Sequence, residues 1–206
     1  SPANSTRFAR LLRILASGAV APGWPAEGLL VASANPGAEI RGIVPDGSGG
    51  CTVTWMQYDQ GVGNFARAKR ILADGSTAPG WPATGLRVCS VNSLQTLASE
   101  GCAIADGSGG VYIAWDDGRE APANSPLGSY GDIYMTRLNA DGTRPPGWPD
   151  TGLPIHVAPG AQWDARMCTD GAGGALVAWT DRSTGKARMS RVTPSGALAP
   201  DWQPGG

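Results

Sequence analysis

The sequence predicts an all-β protein assembled from repeated four-stranded antiparallel units, and three observations predict it. First, the stretch RILADGSTAPGWPATGLRV (Arg70 to Val88) has close copies beginning at Arg13, Arg137 and Arg191, and in all four the Arg-to-Trp offset is 11 residues: 13 to 24, 70 to 81, 137 to 148, 191 to 202. Second, a block of the form DGxGGxxVxW recurs at VPDGSGGCTVTW, IADGSGGVYIAW and CTDGAGGALVAW, with Asp46 to Trp55, Asp106 to Trp115 and Asp170 to Trp179 each 9 residues. Third, the residues after each Asp-Gly turn alternate apolar and polar, as Val111, Ile113 and Trp115 do, which is the period of a strand. Self-similarity at a fixed period implies modules that bury their apolar faces on one another.

One unit reads in order as strand 1 (Glu39 to Pro45), an Asp-Gly-Ser-Gly-Gly turn, strand 2 (Cys51 to Met56), a loop, strand 3 (Phe65 to Ala73), a second Asp-Gly turn, and strand 4 (Gly85 to Val88). Gly accepts the positive φ that hairpin turns demand, so each DGxGG block starts a hairpin. RFARLLRIL (Arg7 to Leu15) has the look of a basic amphipathic helix, yet it aligns with FARAKRIL (Phe65 to Leu72) and therefore reads as strand 3. The pitch is 60 residues from Trp55 to Trp115 and 64 from Trp115 to Trp179. Four-stranded antiparallel modules at this pitch are β-propeller-type blades, whose radial packing protects their edges. About three and a half fit the chain: a half blade at 7-31, blades at 38-88 and 99-155, and an incomplete blade at 162-206.

With the motifs laid out, the DGxGGxxVxW hairpin followed by the R-[IL]-x-A-D-G strand and the G-W-P turn resembles the blade repeat of secreted bacterial β-propellers. ADGxxxPGW is similar to the tryptophan-docking motif of quinoprotein-type propellers. The resemblance spans nearly the whole chain and implies architecture; propellers host binders, hydrolases, lyases and scaffolds alike. It implies an extracellular, cell-surface or periplasmic setting.

A net charge of -1 with a single His gives no electrostatic footprint for nucleic acid, and no apolar run approaches the roughly 18 residues of a membrane span, so neither partner nor membrane insertion is expected. The chain starts at Ser1 without an initiator Met or a signal pattern, which reads as a processed chain or an excised segment. Partners expected are another protein chain or further blades at both ends, together with a glycan or protein ligand.

The repeated Trp residues, Trp81 and Trp148 among them, read as packing between units, because a residue recurring in every unit serves the unit. Trp163 belongs to neither Trp series, which makes it a candidate ligand contact. The recurring Arg13, Arg70, Arg137 and Arg191, with Asp46, Asp106 and Asp170, read as structural ion pairs. Cys51, Cys89, Cys102 and Cys168 have no metal-ligand spacing; Cys89 and Cys102 flank one connection, which leaves a local disulfide and buried free thiols as alternatives.

The connections vary where the turns do not. Trp55 to Arg70 is 15 residues, Trp115 to Arg137 is 22 and Trp179 to Arg191 is 12. In a meander, the strand 2 to 3 loops and the links to the next unit emerge on one face, and repeat-to-repeat variation there marks a binding surface. The longest loop, Asp116 to Asp132, carries Asp116, Asp117, Arg119 and Tyr130; Tyr58, Asp59, Asp181 and Arg182 occupy matching positions. Asp116, Asp117 and Asp132 are the candidate ligands for Ca²⁺, the one cofactor entertained. The expected function is a non-catalytic extracellular binding or surface-assembly module. The alternatives are a propeller glycoside hydrolase or lyase using paired carboxylates of the Asp116 to Asp132 loop, and a purely structural subunit of a cell-surface assembly.

Overall fold

Four antiparallel sheets, one per repeat unit, account for the fourteen strands of the described residues, which contain no helix. The computed structural model describes residues 7–34, 36–59, 63–93, 95–97, 101–121, 131–202 and 205–206. Sheet one pairs β1 (Arg7–Leu11) with β2 (Leu29–Ala34). Sheet two is the meander β3 (Pro36–Pro45), β4 (Cys51–Asp59), β5 (Gly63–Ile71) and β6 (Leu86–Arg87). Sheet three holds β7 (Gln95–Thr96), β8 (Ala103–Ala105), β9 (Val111–Asp117), β10 (Asp132–Leu138) and β11 (Leu153–His156). Sheet four holds β12 (Gln162–Thr169), β13 (Ala175–Asp181) and β14 (Lys186–Val192).

The strands differ from the sequence reading at their ends. In sheet two the first strand begins at Pro36 rather than Glu39 and the second runs on to Asp59. The third stops at Ile71 instead of Ala73, because the Leu72 amide donates to the Ser76 carbonyl and Gly75 to Leu72, closing the turn early. In sheet three the first strand is split, and both β7 and β8 pair with β9, so Gln95 and Thr96, placed in a connection by the spacing, join the sheet.

The last glycine of each DGxGG turn is fixed by close approach. A Cβ on Gly50, Gly110 or Gly174 would lie 2.4, 2.4 or 2.3 Å from the carbonyl oxygen of Ile71, Leu138 or Val192. The Asp before it orders the turn: Asp46 Oδ1 accepts the Ser48 and Gly50 amides while Oδ2 accepts Arg70 Nη2 at 2.9 Å. Burial pushes the Asp46 carboxyl up, but the Ser48 amide, Arg70 and the Gly50 amide more than offset it and hold it below its usual value. Arg137 pairs with Asp106 and Arg191 with Asp170 in the same way, each at 2.8 Å.

The sheets stack in chain order, each with a forward face toward the next sheet and a backward face toward the previous one. Ala9 and Val31 pack on Val53 and Trp55; Met56, Ala68 and Trp81 pack on Val111, Ile113 and Leu138; Met135, Trp148 and Ile155 pack on Val177, Trp179 and Val192. At every seam one carbonyl of the later sheet accepts two donors of the earlier one. Ala73 O takes Arg13 Nη1 at 2.8 Å and Trp24 Nε1 at 2.9 Å. Ala140 O takes Arg70 Nη1 at 3.0 Å and Trp81 Nε1 at 2.9 Å, and Pro194 O takes Arg137 Nη1 and Trp148 Nε1, both at 3.1 Å. Burial supplies most of the attraction across each seam; this clasp sets its register.

The glycine before each clasp Trp packs directly on the next turn. A Cβ on Gly23, Gly80 or Gly147 would come within 2.6, 2.1 or 2.1 Å of the backbone oxygen of Asp74, Asp141 or Ser195.

Trp81 and Trp148 are 6% and 4% exposed, as expected of packing residues. Trp81→Ala or Trp148→Ala should therefore lower stability by about 3 to 5 kcal/mol in denaturant melts. Gly80→Ala should cost several times more than Gly18→Ala. Both sites have φ above +80°, but around Gly18 there is open space, so only Gly80 adds a backbone clash at the seam.

Candidate functional site

The strand ends opposite the clasps gather the variable connections. Where sheets three and four meet, Gly131 and Ala161 form a parallel bridge, the Gln162 amide donates to Gly131 O at 2.8 Å, and the Arg182 amide donates to Ala161 O at 2.9 Å. Three connections, those ending at Gly131 and Ala161 and the one beginning at Arg182, are thereby tied together.

Of the residues singled out in the sequence, Asp116, Trp163 and Arg182 come together here. Asp116 projects from the forward side of β9 onto β12, where its Oδ2 accepts the Asp164 amide at 3.3 Å. The Arg182 guanidinium lies over the Trp163 ring, 4.1 Å from its centroid, a cation–π contact on a half-buried indole. Gly131 sits between Asp116 and Trp163: a Cβ there would lie 3.8 Å from Asp116 Cβ and 3.9 Å from Trp163 Cδ1.

Asp117 and Arg119, read as ligand contacts, are instead committed to the fold. Asp117 is fully buried; it accepts Trp115 Nε1 at 2.8 Å, the Arg119 amide at 3.0 Å and Arg119 Nη2 at 2.7 Å. Arg119 also donates to Thr151 O and covers the Tyr134 ring at 3.7 Å. Asp181, the equivalent of Asp117, is 2% exposed and accepts the Ser183 hydroxyl and amide, the Thr184 amide and Arg188 Nε. The Ser183 and Thr184 bonds and Arg188 hold its carboxyl far below the usual range despite burial. Tyr58 stands half-buried on β4 of sheet two, with no hydrogen bond or ring contact to this cluster among the described residues. Asp59 ends β4, its side chain lying outside the described residues, as Tyr130 does entirely.

The three proposed Ca²⁺ ligands serve separate partners. Asp116 binds the β12 backbone, Asp117 binds Trp115 and Arg119, and Asp132 Oδ1 accepts the Ala158 amide at 3.0 Å. No group of three or more acidic, His or Cys side chains converges among the described residues. The cysteines are free thiols, the second of the two alternatives for Cys89 and Cys102. They face different neighbours: Cys89 Sγ donates to Thr151 O at 3.3 Å, while Cys102 lies against Thr54 with its thiol pushed up to about 11 by burial.

Residues the sequence did not single out complete the site. Asp164 is the one non-glycine residue with positive φ, 65°, among the described residues, at a β-bulge between Trp163 and Arg166. Arg166 pairs with the exposed Asp164 carboxylate at 3.3 Å. Gln162, wholly buried, has one end of its side-chain amide facing two acceptors, Asp132 Oδ1 at 3.1 Å and Gly131 O at 2.9 Å, which assigns its NH2 group to that side. Beside it a cavity of about 320 Å³ is lined by Glu120, Gly131, Asp132 and Val157 to Gly160. Nothing in a single sequence marks a bulge, but the Trp-x-Asp spacing shared by 115/117 and 179/181 was a legible sign that these carboxylates serve the repeat.

Burial raises the Asp116 carboxyl to about 7; the Asp164 and Ala165 amides work against the rise, the Asp164 charge adds to it and Arg166 lowers it. Its Oδ1 is sealed from solvent without a hydrogen-bond partner among the described residues. Comparison with family models, with curated proteins and with solved structures found no match for this chain.

A carboxyl whose folded pKa exceeds its unfolded value contributes stability fully present below the unfolded pKa and lost as pH rises through the folded one. For Asp116 that window runs from about 4 to about 7. Asp116→Asn keeps an acceptor for the Asp164 amide and removes the ionisation. Its melting temperature should match the parent at pH 4 and exceed it by a few degrees, roughly 2 to 4 °C per kcal/mol, at pH 8. A difference independent of pH would show that Asp116 titrates normally.

Proposed function

We propose that the chain is a propeller-type stack that acts as a non-catalytic binding module, taking a glycan or protein ligand on its variable-loop face at the junction of sheets three and four. The observation that carries this reading is the Arg182 and Trp163 pair beside Asp116. These are non-repeated side chains, set where the loops vary most in length. An indole offering a face, a guanidinium and nearby carboxylates together supply stacking and charged hydrogen bonds, which suit hydroxyl-rich or peptide ligands. The propeller-type assignment is supported by four sheets following the repeat in order and by the identical clasp at three successive seams. The extracellular setting rests on the resemblance of the repeat alone.

The rival reading, a glycoside hydrolase or lyase, has one feature in its favour: burial raises the Asp116 carboxyl to about 7, into the range of a proton-transfer group, beside the exposed Asp164 carboxylate. Against it, Oδ1 is sealed from solvent and Oδ2 is already engaged by the Asp164 amide of β12.

Glycan and peptide arrays with parallel hydrolase assays test the reading. Trp163→Ala and Arg182→Ala should each weaken binding about tenfold or more, with melting little changed because both side chains sit at the rim. Turnover of an array ligand that disappears in Asp116→Asn would replace the binding module with an enzyme.

A further inference from the structure

Exposed apolar side chains concentrate at the two ends of the stack. Of nine large hydrophobic residues left exposed among the described residues, five belong to the first unit (Phe8, Leu12, Ile14, Leu15, Leu30) and two to the fourth (Met189, Leu198). The repeat shows what such positions do when covered. Ile71, Leu138 and Val192, the equivalents of Ile14, are each 0% exposed, whereas Ile14 is 54% exposed. Ile71 is covered by Leu11, Val20, Ala21 and Trp24 of the preceding unit. The fourth-unit equivalents of those four are Met189, Leu198, Ala199 and Trp202, which include both apolar residues exposed at that end.

The same ends hold the two halves of a clasp. Arg191 donates its Nε to Asp170, but no described carbonyl accepts from its terminal nitrogens or from the Trp202 indole, the groups that clasp the next sheet elsewhere. Ala16, at the position of Ala73, Ala140 and Pro194, has a carbonyl with no donor among the described residues.

We infer that a second copy of this chain docks head to tail, the forward face of its fourth sheet on the backward face of the first. Arg191 and Trp202 of one copy donate to the Ala16 carbonyl of the next, and Ile14 enters the site made by Met189, Leu198, Ala199 and Trp202. The contact continues the three internal seams and is heterologous, so it closes into a ring or extends as a filament. It is also weaker than an internal seam, for two reasons. Sheet one holds only β1 and β2, the equivalents of strands 3 and 4 of the repeat, so among the described residues nothing takes the place of the strand 2 that packs on the preceding sheet at each internal seam. Asp201 stands where the other units have Gly23, Gly80 and Gly147, glycines at which a Cβ would come within 2.1 to 2.6 Å of the next turn's carbonyl oxygen. Asp201 lacks the positive φ of those glycines and holds the partner off.

Sedimentation velocity on the 206-residue chain over a wide concentration series is the test. Concentration-dependent association is expected; Ile14→Asp and Met189→Asp should each weaken it about tenfold or more, and Asp201→Gly should strengthen it. Melting of the two Asp variants should match the parent, since both side chains are exposed. Mixing Ile14→Asp with Met189→Asp should restore a dimer, because each variant keeps the end the other has lost. A chain monomeric at every concentration, with Asp201→Gly monomeric too, would overturn the inference. So would association untouched by Ile14→Asp, or a mixture that fails to recover.

Discussion

One backbone carbonyl per seam holds this protein in register. It is reached at once by a guanidinium from the third strand and an indole from the following turn, and at the second and third seams the same guanidinium is held from behind by the Asp of the strand 1 to 2 turn. At the second seam two donors of one unit therefore converge on an oxygen 59 and 70 residues further along the chain. Removing any one of these groups leaves buried polar groups unpaired, which costs more than the bond itself is worth. The apolar faces supply attraction without direction, and a sheet surface of Ala, Val and Met would accept several offsets. The clasp selects one, and the glycine ahead of the Trp lets the turns meet closely enough to form it.

The donors of the clasp were plain in the sequence because side chains repeat visibly; the acceptor was not, because a carbonyl carries no residue identity. Ala73, Ala140 and Pro194 share only a position, three residues after the Arg. Strand identity and order were equally legible, while strand ends were not. Ile71 ends its strand through a turn hydrogen bond, and β7 joins its sheet through pairing that no local pattern marks. At the candidate site Asp116 and Asp117 are neighbours of one chemical type at the end of β9. Their fates differ because strand alternation sends Asp116 to the next sheet and Asp117 under its own Trp115. Trp163 was recognised by failing to repeat, but its meeting with Arg182 depends on the bulge at Asp164, a three-dimensional event.

The two ends of every strand carry separate duties. Turns of constant length and composition sit at the clasped end, where the sheets touch closely and a single Cβ is too large. At the other end the loops between second and third strands differ in length from unit to unit without disturbing any clasp. New side chains are thus acquired on one face while the stack is preserved by the other. The Asp116 cluster, with its sealed carboxyl oxygen and a left-handed Asp164, lies wholly on the permissive side.

The three clasps run in one direction, each sheet donating to a carbonyl of the one after it, while single bonds such as Arg144 Nη2 to Val88 O at 2.9 Å run the other way. A load applied between the first and fourth sheets passes through the three grips in series, so the molecule resists pulling no better than its weakest seam. The third seam is tied beyond its clasp: the Tyr112 hydroxyl donates to Gly173 O at 2.7 Å, and the Gln162 and Met167 amides donate to Gly131 O and Gly101 O. Trp163 and Arg182 therefore part from Asp116 only when these ties break together with the clasp. A ligand spanning that junction would act as one more strut between the third and fourth sheets.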